Sequence, residues 1–292
     1  MQSPREISRR AFLAMAGAAP VAAGLTPAFA QTKKVPVGLE LYTVRDQLKD
    51  DPIATVRAVG KMGYEVVEFY APYYSWRLDQ ARDMKAVLDE AGLRCLSTHN
   101  SPASFTADGI QKAIDLNKIL GSSLLVMASP SKVEGADGWK AVAETLNTAA
   151  EKLKAVGMSA GYHNHGPEWR ALDASAGKGA KRPMDILAEN TRPEVVLQLD
   201  VGTCVEEGAD PVAWITSHPG RIKSMHCKDF ARGGKGYAAL FNEGDVKWAP
   251  IFKAAESVGG IECYLIEQEE GSAAEQLDRA KQCLANWKKM RA

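Results

Sequence analysis

The chain has 292 residues, and its 36 Lys and Arg balance its 36 Asp and Glu. A neutral chain of this length offers no global positive field for nucleic acid, and with 46% hydrophobic residues it can build one large core. Five cysteines, odd in number and none in a CxxC pair, argue against a disulfide framework or a zinc ribbon and read as buried free thiols.

Residues 1–30 read as a leader. Ser8-Arg9-Arg10-Ala11-Phe12-Leu13 has the twin-arginine form, a stretch rich in Ala and Gly follows, and Ala28-Phe29-Ala30 has the small-x-small form of a cleavage site. Pro20 and Pro27 break the apolar stretch, so stable membrane insertion is not expected. An uncleaved amphipathic anchor is the alternative. Cleavage leaves residues 31–292, beginning at Gln31, as a periplasmic or secreted domain that folds, and can take up metal, before export.

Eight β-rich runs come next in chain order, at 35–42, 65–70, 94–98, 123–127, 158–162, 195–200, 222–227 and 261–267. Between them apolar residues recur at helical spacing, as in Ile53, Val56, Val59 and Met62, or Val142, Leu146 and Leu153. Glycine closes several helices just before the next strand, in Lys61-Met62-Gly63-Tyr64, Glu90-Ala91-Gly92 and Ala155-Val156-Gly157. Alternating strand and helix predicts a parallel sheet, and eight units in about 260 residues fit a closed (β/α)8 TIM barrel. An open doubly wound sheet is the runner-up, but no Gly-rich phosphate fingerprint follows the first strand. The basic tail Trp287-Lys288-Lys289-Met290-Arg291 fits the end of a final helix.

In such barrels the chemistry sits at the C-terminal ends of the strands. Glu68 falls there on the second strand, His99 on the third, His163 and His165 on the fifth, and Asp200 on the sixth. His226 with Lys228 and Asp229 lies on the seventh, and Glu267 with Glu269 on the eighth. Four of the five histidines occupy these positions, while His218 reads as a surface turn residue. Glu68 could instead neutralise a nearby cation, and His99 could be a satisfied buried histidine. Asp200 emerges from an apolar strand, where a charge is costly unless paired or bound to metal. His163 and His165 alternate across a strand end, so one faces the ion and the other the rim. Trp76, Trp169 and Trp248 could stack on a sugar or pack in the core. A mixed His, Asp and Glu set suits one divalent ion, Mn, Co, Zn, Fe or Mg. Such an ion stabilises the enediolate formed when a C–H beside a carbonyl is deprotonated, with Glu267, His165, Glu68 and Lys228 as candidates for moving protons. His99, Glu168, Trp169 and Asp229 are candidate substrate contacts.

Taken together, several motifs resemble the sugar isomerase/epimerase family with the xylose isomerase-like barrel. They are Val37-Gly38-Leu39-Glu40-Leu41-Tyr42-Thr43-Val44-Arg45-Asp46, Gly63-Tyr64-Glu65-Val66-Val67-Glu68, and Tyr162-His163-Asn164-His165 with Glu168-Trp169. Leu199-Asp200-Val201-Gly202, His226-Cys227-Lys228-Asp229 and Ile266-Glu267-Gln268-Glu269 complete the set. The resemblance covers the chain after the leader and implies metal ligands His163, Asp200, His226 and Glu267. His163 departs from the glutamate of the ketose 3-epimerases, and with it the carboxylate pair that passes a proton between the faces of the substrate is lost. The resemblance therefore also implies sugar dehydratases, such as inosose dehydratases, and 3-keto-glycoside lyases, which eliminate a leaving group after the same deprotonation. The substrate expected is a free sugar or keto-sugar, with isomerisation or epimerisation as the first reading and elimination as the alternative. A non-catalytic sugar-binding protein is a reading from another class. An abasic-site nuclease on this barrel would need a basic rim, which the neutral charge does not supply. A homo-oligomer is compatible with all of these.

Overall fold

The eight runs form eight strands: β1 Val37–Glu40, β2 Val66–Phe69, β3 Arg94–Asn100, β4 Leu124–Met127, β5 Ser159–His163, β6 Val196–Asp200, β7 Ser224–Cys227 and β8 Cys263–Ile266. The structure is a computed structural model that describes residues 34–173, 175 and 180–292. The leader and Gln31 lie outside the described residues. Each strand pairs in parallel with the next, and β1 pairs in parallel with β8, so the sheet closes into a (β/α)8 TIM barrel within the compact unit Val35–Ala292. No open edge remains, which rules out the doubly wound alternative.

Most predicted runs overshoot the strands by one or two residues at an end, because the flanking residues turn into helices and loops. β3 and β5 instead run further than predicted, to Asn100 and His163. Helices follow the strands as the apolar spacing requires, among them Pro52–Met62, Leu78–Glu90, Ile110–Leu120, Gly135–Lys154, Pro183–Asn190, Pro211–Ser217 and Gln276–Met290. Val56 and Val59 are buried against the barrel, whereas Ile53 at the start of its helix faces solvent. Asp51 and Asp210 cap their helices, Asp210 Oδ1 accepting from the amides of Val212 at 2.8 Å and Ala213 at 3.1 Å. Gly63 ends its helix at φ 95°, a left-handed conformation that L side chains adopt only with strain, and Gly92 and Gly157 repeat it. Lys288 and Lys289 lie in the last turn of the final helix, near its negative end.

Two apolar regions hold the barrel. The larger lies between the strands and the helices, and includes Tyr162, Tyr264, Trp248 and Phe252. Inside the barrel, Val66, Cys263 and Leu265 pack with Leu96, beside Leu124, Val126 and Val196. Side chains alternate along a strand, so the inward position after Val66 is Glu68, and the inward position after Val196 is Gln198. An apolar plug thus gives way to a polar layer at the C-terminal mouth. β3 reaches that layer through a bulge: Val67 pairs with Cys95, but Glu68 pairs with Ser97. The extra residue turns His99 onto the same face as Glu68. All five cysteines are buried free thiols. Among the described residues, no helix is long and apolar enough to cross a membrane.

Candidate active site

The polar layer is built around His226. Its Nε2 lies 2.7 Å from Glu68 Oε1 and its Nδ1 lies 3.0 Å from Glu267 Oε2, so β2 and β8 grip the β7 imidazole from both sides. His99 stacks on His226 with ring centroids 4.9 Å apart, and His163 leans on it at 4.4 Å. His99 Nε2 lies 3.1 Å from Glu68 Oε1 and 2.7 Å from Gln198 Oε1. Gln198 Oε1 also meets His163 Nδ1 at 2.9 Å, while its amide nitrogen donates to Glu68 Oε2 at 2.9 Å and Ser224 Oγ at 2.8 Å. Glu68, Gln198 and His226 are all fully buried.

Burial and charge sort these groups. Burial alone would raise Glu68, but His99 and His226 pull its carboxyl down to about 2. Burial likewise opposes the charge on His226, yet Glu267 and Glu68 hold its imidazolium well above the usual histidine range. Burial outweighs the pull of Glu68 on His99 and of Glu267 on His163, and holds both below it. Burial and then Glu68 push Glu40 well above the usual carboxylate range.

Beside this cluster, Lys228 Nζ stands 3.6 Å from Asp200 Oδ2, 3.7 Å from Glu267 Oε2 and 2.5 Å from Glu269 Oε1. Against burial, Lys228 and His226 hold Glu267 well below the carboxylate range. Burial and Glu267 push Glu269 up to about 7 despite Lys228. The Asp200 backbone is clamped by Asn164, which accepts from its amide at 3.0 Å and donates to its carbonyl at 3.2 Å. Asp200 Oδ1 caps the next helix through the Thr203 amide, and burial raises the Asp200 carboxyl.

Two buried carboxylate oxygens, Asp200 Oδ2 and Glu40 Oε2, have no hydrogen-bond partner. Together with two imidazoles that burial keeps neutral, they make a donor set that fits a hard-to-borderline divalent cation. Among the described residues, the groups whose possible ligand atoms lie within 4.8 Å of one another are His99, His163 and His226, and Glu40, Glu68 and His226; Asp200 and Glu267 are in neither. His226 belongs to both. Of the four ligands implied by resemblance, His163, His226 and Glu267 meet directly or ring to ring, and Asp200 joins them through Lys228.

The remaining predicted residues sit further out. The His165 ring stands edge-on to His163 at 4.8 Å and is half-buried. Glu168 is held behind the strand, accepting from Tyr162 Oη at 2.7 Å and the His165 amide at 3.1 Å. Trp169 packs edge-on against Trp214 at 5.0 Å, under the Arg182 guanidinium. Both oxygens of Asp229 brace the loop after β7: Oδ2 accepts from Trp248 Nε1 at 3.0 Å and Oδ1 from the Phe230 amide at 2.8 Å. Trp76 packs on Phe69 and Trp248 on Phe241. His218 ends the helix Pro211–Ser217, half-buried against Trp214 rather than exposed in a surface turn. Glu40 and Gln198 are the site residues that sequence reasoning missed.

A closed parallel barrel with His, Asp and Glu side chains at its C-terminal mouth defines the class of TIM barrels that carry a polar site at their strand ends. The chain belongs to the xylose isomerase-like TIM barrel family, whose sequence profile matches residues 56–287. Inosose dehydratase from Clostridium perfringens is 28% identical over 152 residues, covering 47% of this chain and 48% of that protein. Inosose dehydratase from Lacticaseibacillus casei is 27% identical over 154 residues, covering 47% and 49%. The chain spans about half the length of these curated relatives. A sugar phosphate isomerase/epimerase structure from Parabacteroides distasonis superposes with a TM-score of 0.70 at 28% identity, over 89% of this chain and 96% of that one. A D-psicose 3-epimerase structure shares the fold at TM-score 0.63 and 11% identity.

Proposed function

We propose that the chain is a divalent-metal-dependent enzyme that removes a proton beside a carbonyl of a sugar or keto-sugar. The observation that carries this reading is the convergence of Glu68, His99, His163, His226 and Glu267 in one buried layer, with Asp200 Oδ2, which accepts no hydrogen bond, at its side near Lys228. A bound divalent ion would supply the Lewis acidity that makes such a C–H removable. His163, Asp200, His226 and Glu267 would hold it. Glu269, poised near neutrality, and the rim imidazole His165 are placed to exchange protons with substrate or solvent. The Lys228 ammonium, set among Asp200, Glu267 and Glu269, would offset negative charge developing on a substrate oxygen. Glu68 and Glu267 are the remaining carboxylate bases.

Two outcomes share this first step. Isomerisation or epimerisation returns the proton to carbon, and elimination expels a neighbouring hydroxyl or aglycone. His163 at the end of β5 favours elimination, because no second carboxylate faces Glu267 from that strand. The relatives named inosose dehydratase point the same way. A twin-arginine leader would place the enzyme outside the cytoplasm, where glycosides and free sugars are met.

Proton NMR in deuterated water, with the metal-loaded protein and either a keto-inositol or a 3-keto-glucoside, separates the outcomes. Loss of water or aglycone with an unsaturated product establishes elimination. Deuterium entering beside an intact carbonyl establishes the isomerase reading. With neither change, over a panel of ketoses as well, the proposal fails.

A further inference from the structure

The hydrogen-bonding capacity of Gln198 is filled within the site. Its Oε1 lies 2.7 Å from His99 Nε2 and 2.9 Å from His163 Nδ1, and its Nε2 lies 2.9 Å from Glu68 Oε2 and 2.8 Å from Ser224 Oγ. A primary amide has two donor hydrogens and an oxygen with two lone pairs, so these four contacts saturate it. Its orientation is dictated by Glu68. Glu68 Oε1 lies 2.7 Å from His226 Nε2 and 3.1 Å from His99 Nε2, with Gln198 on its other oxygen. A carboxylate only accepts, so the amide NH2 must face Oε2; the flipped amide would set oxygen against oxygen. The carbonyl therefore faces the two imidazoles, and a carbonyl also only accepts. His163 must donate from Nδ1 and His99 from Nε2.

We infer that Gln198 is a positioning residue that fixes the tautomer of His163 and, together with Glu68, that of His99, leaving His163 Nε2 and His99 Nδ1 unprotonated, the latter 4.0 Å from Glu40 Oε1. The use of their lone pairs by a cation or a substrate hydroxyl rests on the function proposed above; the tautomers do not. The assignment also separates the two histidines at the end of β5. His163 presents a nitrogen whose protonation is set by the barrel interior, while His165 stands half-buried at the rim, with its backbone amide tied to Glu168. The hub is itself backed from β7 and β8, where Ser224 Oγ accepts from Gln198 and lies 3.6 Å from the Cys263 thiol. A ligand nitrogen must be unprotonated, so a barrel that let His163 take the other tautomer would point an N–H at the ion.

The test uses the full, metal-free protein with ¹⁵N-labelled histidine and two-bond ¹H–¹⁵N correlation spectra at about pH 8. His163→Gln and His99→Gln assign the signals. The wild type should show His163 protonated at Nδ1 and His99 at Nε2. Gln198→Met keeps the length of the side chain but makes no hydrogen bonds. It should give mixed tautomers at His163, while His99 keeps Glu68 Oε1 beside its Nε2, and it should weaken Zn²⁺ binding about 10- to 100-fold by calorimetry, the usual cost of losing a group that orients a ligand. A wild-type His163 protonated at Nε2 overturns the inference, as does an unchanged His163 tautomer in folded Gln198→Met. Should that variant fail to fold, the wild-type spectrum alone decides. Correct tautomers in a wild-type protein that binds no Zn²⁺ leave the inference standing and count against the metal reading.

Discussion

Asp200 and His226 end neighbouring strands and pair in register, yet their surroundings give them opposite tasks. Two carboxylates raise His226 well above the usual histidine range, whereas Asp200 Oδ2 accepts no hydrogen bond and has the Lys228 ammonium 3.6 Å away. In the function proposed above, both Asp200 and His226 would hold a divalent ion. Asp200→Ala and His226→Ala should therefore each lose bound metal, measured by elemental analysis, while far-UV circular dichroism still reports a folded barrel. Wild-type metal content in both would refute the assignment. Glu40 allows a cleaner electrostatic check, because its carboxyl is raised by burial and by Glu68. Between its ordinary value of 4.5 and its higher folded value, the native protein keeps a proton that the unfolded chain has lost. Stability from this group is thus full below 4.5 and declines as pH rises through the folded value. Glu40→Gln is neutral throughout, so the metal-free variant should gain on wild type by up to about 1.4 kcal/mol per pH unit across that window. Urea midpoints at about pH 4.5 and pH 8 measure it; a difference that does not grow with pH means Glu40 is ionised in the native state.

At the scale of elements, the site depends on the segments into which β6 and β7 lead. β6 runs straight into the short helix Val201–Glu206, with Asp200 as its cap. A Cβ on Gly202 would sit 2.7 Å from the Lys228 carbonyl, so this glycine lets the helix start lie against the end of β7. Gly202→Ala should destabilise the protein by about 1–3 kcal/mol in urea denaturation, as overpacking does, and should move Lys228 away from Asp200 and Glu267. An unchanged midpoint would show that β7 yields easily. The loop after β7 is fixed just as closely, since a Cβ on Gly244 would meet Asp229 Oδ1 at 2.2 Å. In this structure the Asp229 carboxylate is thus committed to its own loop.

For the whole molecule, the proposed site, assembled from β5, β6, β7 and β8, would tie metal binding to closure of the barrel. A ligand that binds only the folded state at a hundred times its Kd adds about 2.7 kcal/mol. Zn²⁺ or Mn²⁺ should raise the melting temperature of the metal-free protein, and EDTA should reverse the rise. No shift with either ion, at concentrations that calorimetry shows to be saturating, would argue that the ligands are not brought together by folding. If the proposed leader is genuine, Arg9→Lys with Arg10→Lys should hold the protein in the cytoplasm on cell fractionation. Unchanged export would point to another route.

The sequence by itself determined the strand–helix alternation, the order of the strands and most of the charged residues at the mouth, because period and turn chemistry are local. Glu68, His99, Asp200, His226 and Glu267 stood out as charged or metal-capable groups at the ends of apolar strands. Glu40 did not, since the first strand read through to Tyr42, whereas the chain leaves the sheet at Glu40 for a tight turn. A glutamate at the true end of β1 is the signal that could have found it. Gln198 carries no charge and no metal signature, and only its place two residues before Asp200, on the same inward face, marks it. Tertiary structure alone decided that one amide from β6 reaches His99 on β3, His163 on β5, Glu68 on β2 and Ser224 on β7. Those partners lie up to 130 residues apart, and only closure of the barrel brings their side chains to one point.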